Sequence, residues 1–332
     1  MSARSERLRI AVIGVGHLGS RHAERLAAAP AFSLVAVHDR DPVRAEAAAR
    51  RWGGRAASLE EAIGEAEAVV VATSTHAHFE AARTALAAGR AVLVEKPLTG
   101  RVEEALALVA LAREKNLVLH VGHVERFNPA LRRVLGRVPP PLFVESHRLA
   151  SLVPRNLDLD VVQDLMVHDI DLTLALVGED PESVDAVGIS VITGRVDIAN
   201  ARLRFPGGAV ANLTASRVSR ERVRKFRMFL PGAYLSADCA AGIGTWVRLR
   251  PGREGRLREA LASGQAPPME ELLTVELEAD PGPDALSAEH EAFRLAVRGE
   301  PNAGVSGAEA VRTLRTMVAV ESAIARGTRE GE

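Results

Sequence analysis

Three groups of residues in this chain combine side-chain type with a spacing that can do chemistry. Gly14, Gly16 and Gly19 belong to Gly14-Val15-Gly16-His17-Leu18-Gly19, directly after an apolar run (8–13) and at the start of a helical pattern. In that setting Gly14 permits a tight turn, Gly16 lets backbone approach a pyrophosphate, and Gly19 allows close helix packing, while N–H groups at the helix start receive the anion. Asp39 ends the next apolar run, where a carboxylate would accept hydrogen bonds from an adenosine ribose. A 2′-phosphate there would meet like charge, which favours NAD; Arg40 beside it could reach such a phosphate, so NADP stays open. The second group centres on Lys96, one of three lysines among 42 cationic residues, held between Glu95 and Pro97 at the end of another apolar run. A cation at the carboxyl edge of a parallel strand would lower the pKa of a bound hydroxyl and stabilise a developing alkoxide. The competing reading is a solvated lysine that closes a strand. The third group is Asp164 and His168, four apart in a helical pattern and therefore on one side of it. An imidazole titrates in the range needed to take a hydroxyl proton as hydride leaves carbon. On spacing alone, a helix-surface ion pair with Asp169 and Asp171 as neighbours is the stronger reading.

The elements that must position these groups follow from periodicity. Continuous apolar runs at 8–13, 34–37, 68–72, 91–94 and 117–121 read as strands buried on both faces, and 18–29, 42–52, 76–88 and 102–115 as alanine-rich helices between them. Strand-helix-strand repetition implies an α/β fold with an N-terminal Rossmann-type doubly wound parallel sheet. After residue 124 the rhythm changes: a helix at 129–136, Pro139-Pro140-Pro141, a strand at 142–149 and a helix at 161–177. Extended segments separated by turn signals then run from 184 to 250, which predicts a C-terminal α+β domain with a large mixed or antiparallel sheet. Residues 251–283, rich in Gly, Pro and charge, read as loop with one short strand at 272–277, and helices at 287–298 and 308–326 follow. The expected division is a nucleotide-binding domain, 1–123, and a substrate-binding and oligomerisation domain, 124–332.

Composition narrows the function. With 332 residues, 47% hydrophobic and 26% charged, the chain has the composition of a soluble globular protein of about two domains. A net charge of -1 and 3% aromatics give neither the basic excess nor the stacking platforms a nucleic-acid partner needs. No apolar run approaches the length of a membrane span, and the lone Cys239 can form neither an internal disulfide nor a cysteine zinc site, so the expectation is a cytoplasmic protein without a membrane partner. His120 and His123 lack zinc-ligand spacing, and no metal is expected.

Further motifs carry a resemblance. Val71-Ala72-Thr73-Ser74-Thr75-His76-Ala77-His78-Phe79-Glu80, Val94-Glu95-Lys96-Pro97-Leu98, Gly122-His123-Val124-Glu125-Arg126-Phe127-Asn128-Pro129 and Asp164-Leu165-Met166-Val167-His168 closely resemble the Gfo/Idh/MocA family of sugar and cyclitol oxidoreductases, over nearly the whole chain. Ser74 departs from the proline the family usually has, and Val161-Val162-Gln163 from its glycines. The resemblance implies NAD contacts from Gly14, Gly16, His17, Leu18, Gly19, Asp39, Arg40, Thr73, Ser74, His78, Glu95 and Lys96. It also implies that Lys96 polarises the reacting hydroxyl, that His168 accepts its proton with Asp164 alongside, and that Arg126 and Asn128 contact substrate. His78 has helix packing as an equal alternative. The likeness is strongest to members acting on nucleotide sugars, those that oxidise C3 of UDP-N-acetylglucosamine for lipid A synthesis above all; a diphosphate would then engage Arg126, Arg148 and Arg155. Other readings are a free-sugar or inositol dehydrogenase, an NAD-dependent glycosidase and a non-catalytic NAD-binding regulator. Relatives use the second-domain sheet as a subunit interface, so a homodimer or homotetramer is expected.

Overall fold

The structure, a computed structural model, describes residues 7–135, 137–153, 159–264, 269–280 and 282–329. The chain forms two compact units, Met1–Phe127 with Pro283–Arg315, and Asn128–Gly282 with Thr316–Glu332.

The first unit is built on six strands: β1 (Leu8–Ile13), β2 (Phe32–His38), β3 (Arg55–Ala56), β4 (Ala68–Val71), β5 (Ala91–Glu95) and β6 (Leu119–Gly122). They form one parallel sheet in the order β3-β2-β1-β4-β5-β6. The chain leaves β1 for strands on one side and crosses back to β4 on the other, so the loops after β1 and β4 open at a topological switch point, where open α/β sheets bind ligands. Val12, Val70 and Leu93 from the sheet pack with Leu26 of the helix His17–Ala28 in one core. The helix Pro42–Trp52 starts on Asp41, whose side chain accepts the Val43 N–H. The short strand β3 and the helix Leu59–Glu65, which opens with a Ser58/Glu61 capping box, extend the expected pattern.

A single break near residue 123 does not describe this unit. Residues 283–315 return to it: Phe293, from the helix Ala285–Val297, is wholly buried in the β1-centred core, and Val121 N–H bonds Val305 O. The burial of Phe293 is what draws this late segment back.

The second unit contains β7 (Phe143–Leu149), β8 (Ser183–Ile189), β9 (Ile198–Arg204), β10 (Val210–Ser216), β11 (Val223–Leu230), β12 (Ala233–Asp238), β13 (Ile243–Leu249) and β14 (Leu273–Ala279). They make a mixed sheet, β14-β13-β12-β11-β7-β10-β9-β8, antiparallel except for the β7–β10 pair. Burial alternates along β7, β9 and β10, so one face carries the core of Leu203, Leu213, Phe226 and Met228. Three expectations need correction. Residues 129–135 form successive turns after a 3-10 segment, Val124–Phe127, opened by Asn128, whose Oδ1 takes the Ala130 N–H and whose carbonyl takes the Leu131 and Arg132 N–H groups in the manner of an N-cap. The helix expected at 161–177 opens as a π-turn, Val162–Met166, before the α-helix Val167–Val177. The expected loop at 251–283 holds the helix Glu254–Ser263, closed by Gly264 in the left-handed region and without a buried residue.

Asp160 sets the start of the π-turn: its Oδ1 accepts the N–H groups of Val162 and Gln163. Its charge also acts on Glu321 of the helix Gly307–Arg329, whose carboxyl burial and Asp160 together push up to about 7. A carboxyl whose folded pKa lies above 4.5 stabilises the fold below pH 4.5, and that contribution disappears as pH rises to 7. Glu321→Gln is therefore expected to raise the thermal midpoint above about pH 7 by roughly 2–4 °C and to flatten the pH dependence; calorimetric scans matching the parent at every pH would refute this.

Candidate active site

The glycine loop after β1 has different demands at each glycine. A Cβ on Gly14, at φ +87°, would lie 2.8 Å from Ala72 O and Thr73 N, and one on Gly19 would lie 1.7 Å from Gly14 O. A Cβ on Gly16 would meet nothing within 4 Å, so this position faces open space. Gly16 is also the N-cap of the helix His17–Ala28, has no side chain to cap the first N–H groups, and is followed by no acidic residue in the first turn. His17 and Leu18 are exposed on that turn. Donors facing open space at a helix start suit a pyrophosphate. Asp39 braces the loop: Oδ2 accepts the Val15 N–H at 2.9 Å and Oδ1 the Asp41 N–H at 3.0 Å. Each carboxylate oxygen has a second lone pair for a ribose hydroxyl, and Arg40 is exposed next to it. This donor and acceptor set fits a dinucleotide. Gly16→Ala should fold like the parent and raise the KM for NAD about tenfold or more, whereas Gly19→Ala should lose roughly 3 kcal/mol of stability. Unchanged NAD binding in Gly16→Ala, measured by calorimetric titration, would refute the pyrophosphate assignment.

The ends of β4 and β5 are tied together from below. His78, buried, sets Nδ1 2.9 Å from Pro97 O and Nε2 3.2 Å from Thr73 O, and burial pushes its pKa down. Thr73 is half-buried, and Ser74 is exposed at the N-cap of the helix Thr75–Ala87. Lys96, half-buried, follows β5 and forms a cis peptide with Pro97. Glu95 turns inward: Oε2 accepts the Lys96 N–H at 3.1 Å and Oε1 lies 2.8 Å from His22 Nε2. Gly122 makes room, since a Cβ there would come within 3.3 Å of that carboxylate. Glu95 and His78, expected to touch the cofactor, instead brace the strand ends that carry Thr73 and Lys96, because both are buried and spend their polar atoms inward.

In the second unit, Asp164 lies in the π-turn and His168 in the first turn of Val167–Val177. A π-turn is wider than an α-turn, yet a four-residue step still returns to nearly the same side. Both are half-buried while Met166, Val167 and Asp169 are buried, so one side of this helix start is accessible. Asp169 is not the surface neighbour that an exposed ion pair would require. Its Oδ2 and Oδ1 accept from Arg148 Nε and Nη2, each at 2.9 Å, with both side chains 3% exposed. Asp171 is buried as well. Arg148, expected at a diphosphate, is thus committed to Asp169, and Arg155 lies outside the described residues.

Two further expected substrate contacts are engaged within their own units. Arg126 Nη1 bonds Glu309 Oε1 at 2.7 Å; burial opposes the Glu309 charge, but Arg126 and Ser306 hold its carboxyl below the ordinary range. Asn128 is buried, donates to Cys239 O and accepts from Ala130 N, which makes it a turn-forming residue and corrects the expected substrate contact. His120 packs against Phe293 and is pushed down to about 4 by burial, and His123 is buried. Among the described residues no three His, Cys, Asp or Glu side chains group as metal ligands. Two residues carry no local sequence signal: His22, three positions after Gly19 on the buried side of its helix, and His290, whose Nε2 lies 2.8 Å from His22 Nδ1.

Residues 8–123 match the oxidoreductase family with an NAD-binding Rossmann fold, Gfo/Idh/MocA, and residues 153–231 match the C-terminal domain of the same family. The chain is 44% identical over 234 residues, 70% of its length, to UDP-N-acetylglucosamine 3-dehydrogenase of Acidithiobacillus ferrooxidans, covering 74% of that protein. The solved structure of that A. ferrooxidans enzyme superposes with a TM-score of 0.85 at 36% identity, covering 96% of this chain and 98% of that one. Inositol 2-dehydrogenase of Rhizobium meliloti is 29% identical, with 63% of this chain and 69% of that protein covered. On the combined evidence of motif, fold and likeness, the chain belongs to the Gfo/Idh/MocA family of NAD-binding oxidoreductases.

Proposed function

We propose that the protein oxidises the C3 hydroxyl of UDP-N-acetylglucosamine to a ketone. The observation that carries this reading is the 44% identity to a dehydrogenase of that substrate across 74% of its length; inositol dehydrogenases match less of this chain at lower identity, 29% over 63% of it and 37% over 52%. NAD, when bound, supplies the hydride acceptor. The substrate's C–H bond gives up hydride, its O–H bond gives its proton to His168, and the carbon-oxygen double bond forms. Lys96 lowers the pKa of that hydroxyl and offsets the negative charge that grows on oxygen. Asp164, on the same side of its helix as His168, orients the imidazole or a sugar hydroxyl. Thr73 and Ser74 would hold the nicotinamide end of the dinucleotide. The keto sugar would pass to an aminotransferase on the way to a diamino sugar of lipid A, which suits a cytoplasmic enzyme; among the described residues no helix is long and apolar enough to cross a membrane.

The exposed Val187, Ile189, Val275 and Leu277 on β8 and β14 support a homodimer or homotetramer formed through the open sheet face. The deciding experiment incubates the protein with NAD and, in separate reactions, UDP-N-acetylglucosamine, free sugars and myo-inositol. NADH absorbance and product mass are followed, with an aminotransferase coupled to draw off ketone. NADH formation with a nucleotide-sugar product two hydrogens lighter is expected. Turnover of inositol alone, or release of a glycosyl product without NADH, would replace this reading.

A further inference from the structure

Inside the first unit, three ionisable side chains from distant parts of the sequence form one buried hydrogen-bonded line. Glu95 ends β5, His22 lies on the helix after the glycine loop, and His290 lies on the helix Ala285–Val297. His22 Nε2 is 2.8 Å from Glu95 Oε1, and His22 Nδ1 is 2.8 Å from His290 Nε2. All three are buried, with Glu95 the most exposed at 8%. The other Glu95 oxygen accepts the backbone N–H of Lys96. A carboxylate has no proton to give, so His22 donates through Nε2. With His22 neutral, Nδ1 is a lone pair and His290 must donate to it; with His22 doubly protonated, His290 accepts instead. The bond to Glu95 survives both states.

We propose that His290 and His22 form a buried positioning relay that acts through Glu95 to set the place and the charge of Lys96. The relay rests on the role given above to Lys96, and it makes His22 and His290 positioning residues for the oxidation. Three observations support it. Gly122 leaves the space in which the Glu95 carboxylate folds back beneath Lys96. Burial would neutralise Glu95, yet the His22 hydrogen bond and the charge of Lys96 hold its carboxyl below the ordinary range. Burial, then the charges of His22 and Arg25, push His290 well below the usual imidazole range, so the far end of the line is neutral. Among the described residues, the charged and titratable groups that act on the line include Lys96 after β5, His78 on the helix Thr75–Ala87, and Arg25 on the same helix as His22.

The test reads Lys96 directly and needs no substrate. With only Lys96, Lys115 and Lys225 in the chain, reductive 13C-methylation of the whole protein gives a few NMR signals, and Lys96→Arg assigns the one that matters. In His22→Leu the buried carboxylate loses its donor and takes up a proton, and the Lys96 amine, deprived of a negative neighbour, should titrate about one pH unit lower. His22→Gln, whose amide donates from near the same place, should restore the parent titration. His290→Phe removes only the far partner and should shift Lys96 in the same direction by about half as much. Should His22→Leu fail to fold, His290→Phe against His22→Gln decides the matter. An unmoved Lys96 in the folded variants, or an equal shift in His22→Gln and His22→Leu, overturns the relay. Once a substrate is in hand, His22→Leu should lower kcat about tenfold with the KM for NAD unchanged and the pH profile displaced. Absence of turnover with every sugar would defeat the functional reading and leave the NMR result standing on its own.

Discussion

Lys96→Ala is expected to lower kcat by about 10²–10³-fold and to leave the affinity for NAD within a few-fold of the parent. The two parts have separate physical origins. The proposed pyrophosphate cradle is built from Gly14, Gly16 and Gly19 at the end of β1 and Asp39 at the end of β2, whereas Lys96 follows β5. The loss in kcat arises because an ammonium group interacts weakly with a neutral hydroxyl and strongly with the oxygen that carries charge during hydride departure, so its removal raises the barrier more than it weakens binding. Lys96→Arg should recover little, since a guanidinium is bulkier, is effectively always charged and spreads its charge over a plane. Steady-state kinetics with calorimetric NAD titration on the same preparations separates the two. A non-catalytic regulator would have no turnover to lose, and a variant with kcat near that of the parent would move Lys96 out of the reaction.

What was legible in the sequence divides by the range of the interactions involved. The nucleotide loop could be read because its requirements are local: Gly14 and Gly19 cannot carry a Cβ against backbone within a few residues or across to β4, and Gly16 must stay open. The strands of the first sheet could be read because burial on both faces makes β1, β4 and β5 almost continuously apolar. Periodicity is silent where the deciding partner is far along the chain. Phe293 returns to a core laid down nearly 300 residues earlier, and His290 meets His22 across 268 residues. The family resemblance assigns Glu95 to the cofactor, whereas its carboxylate points inward to His22 and the Lys96 N–H, partners that the local motif does not specify. Asp164 and His168 illustrate the reverse case. Their spacing is that of any exposed helix pair, and the burial of Asp169 and Asp171 beside them is what separates this helix start from a solvated one.

Arg148→Met should destabilise the protein by about 3–5 kcal/mol, the largest effect on folding expected among the residues near His168. Arg148 comes from β7, which lies between β11 and β10 inside the sheet, and both its Nε and Nη2 reach Asp169 on the helix Val167–Val177. Methionine fills part of the volume but leaves a carboxylate 3% exposed without its guanidinium, and an uncompensated buried charge accounts for most of the cost. Arg148→Met combined with Asp169→Leu removes the second charge as well, so stability should return to within about 1 kcal/mol of the parent. Function should not return with it. The bidentate pair fixes the rotation of the helix about its axis, and His168 is the residue immediately before Asp169; an apolar contact permits a range of rotations and slips. The double variant is therefore expected to fold yet turn over about tenfold more slowly. Denaturant melts and kinetics on the single and double variants form one thermodynamic cycle. A double variant as unstable as Arg148→Met would place the energy in packing of the arginine stem, and one with full kcat would show that the pair stabilises the helix without aiming His168.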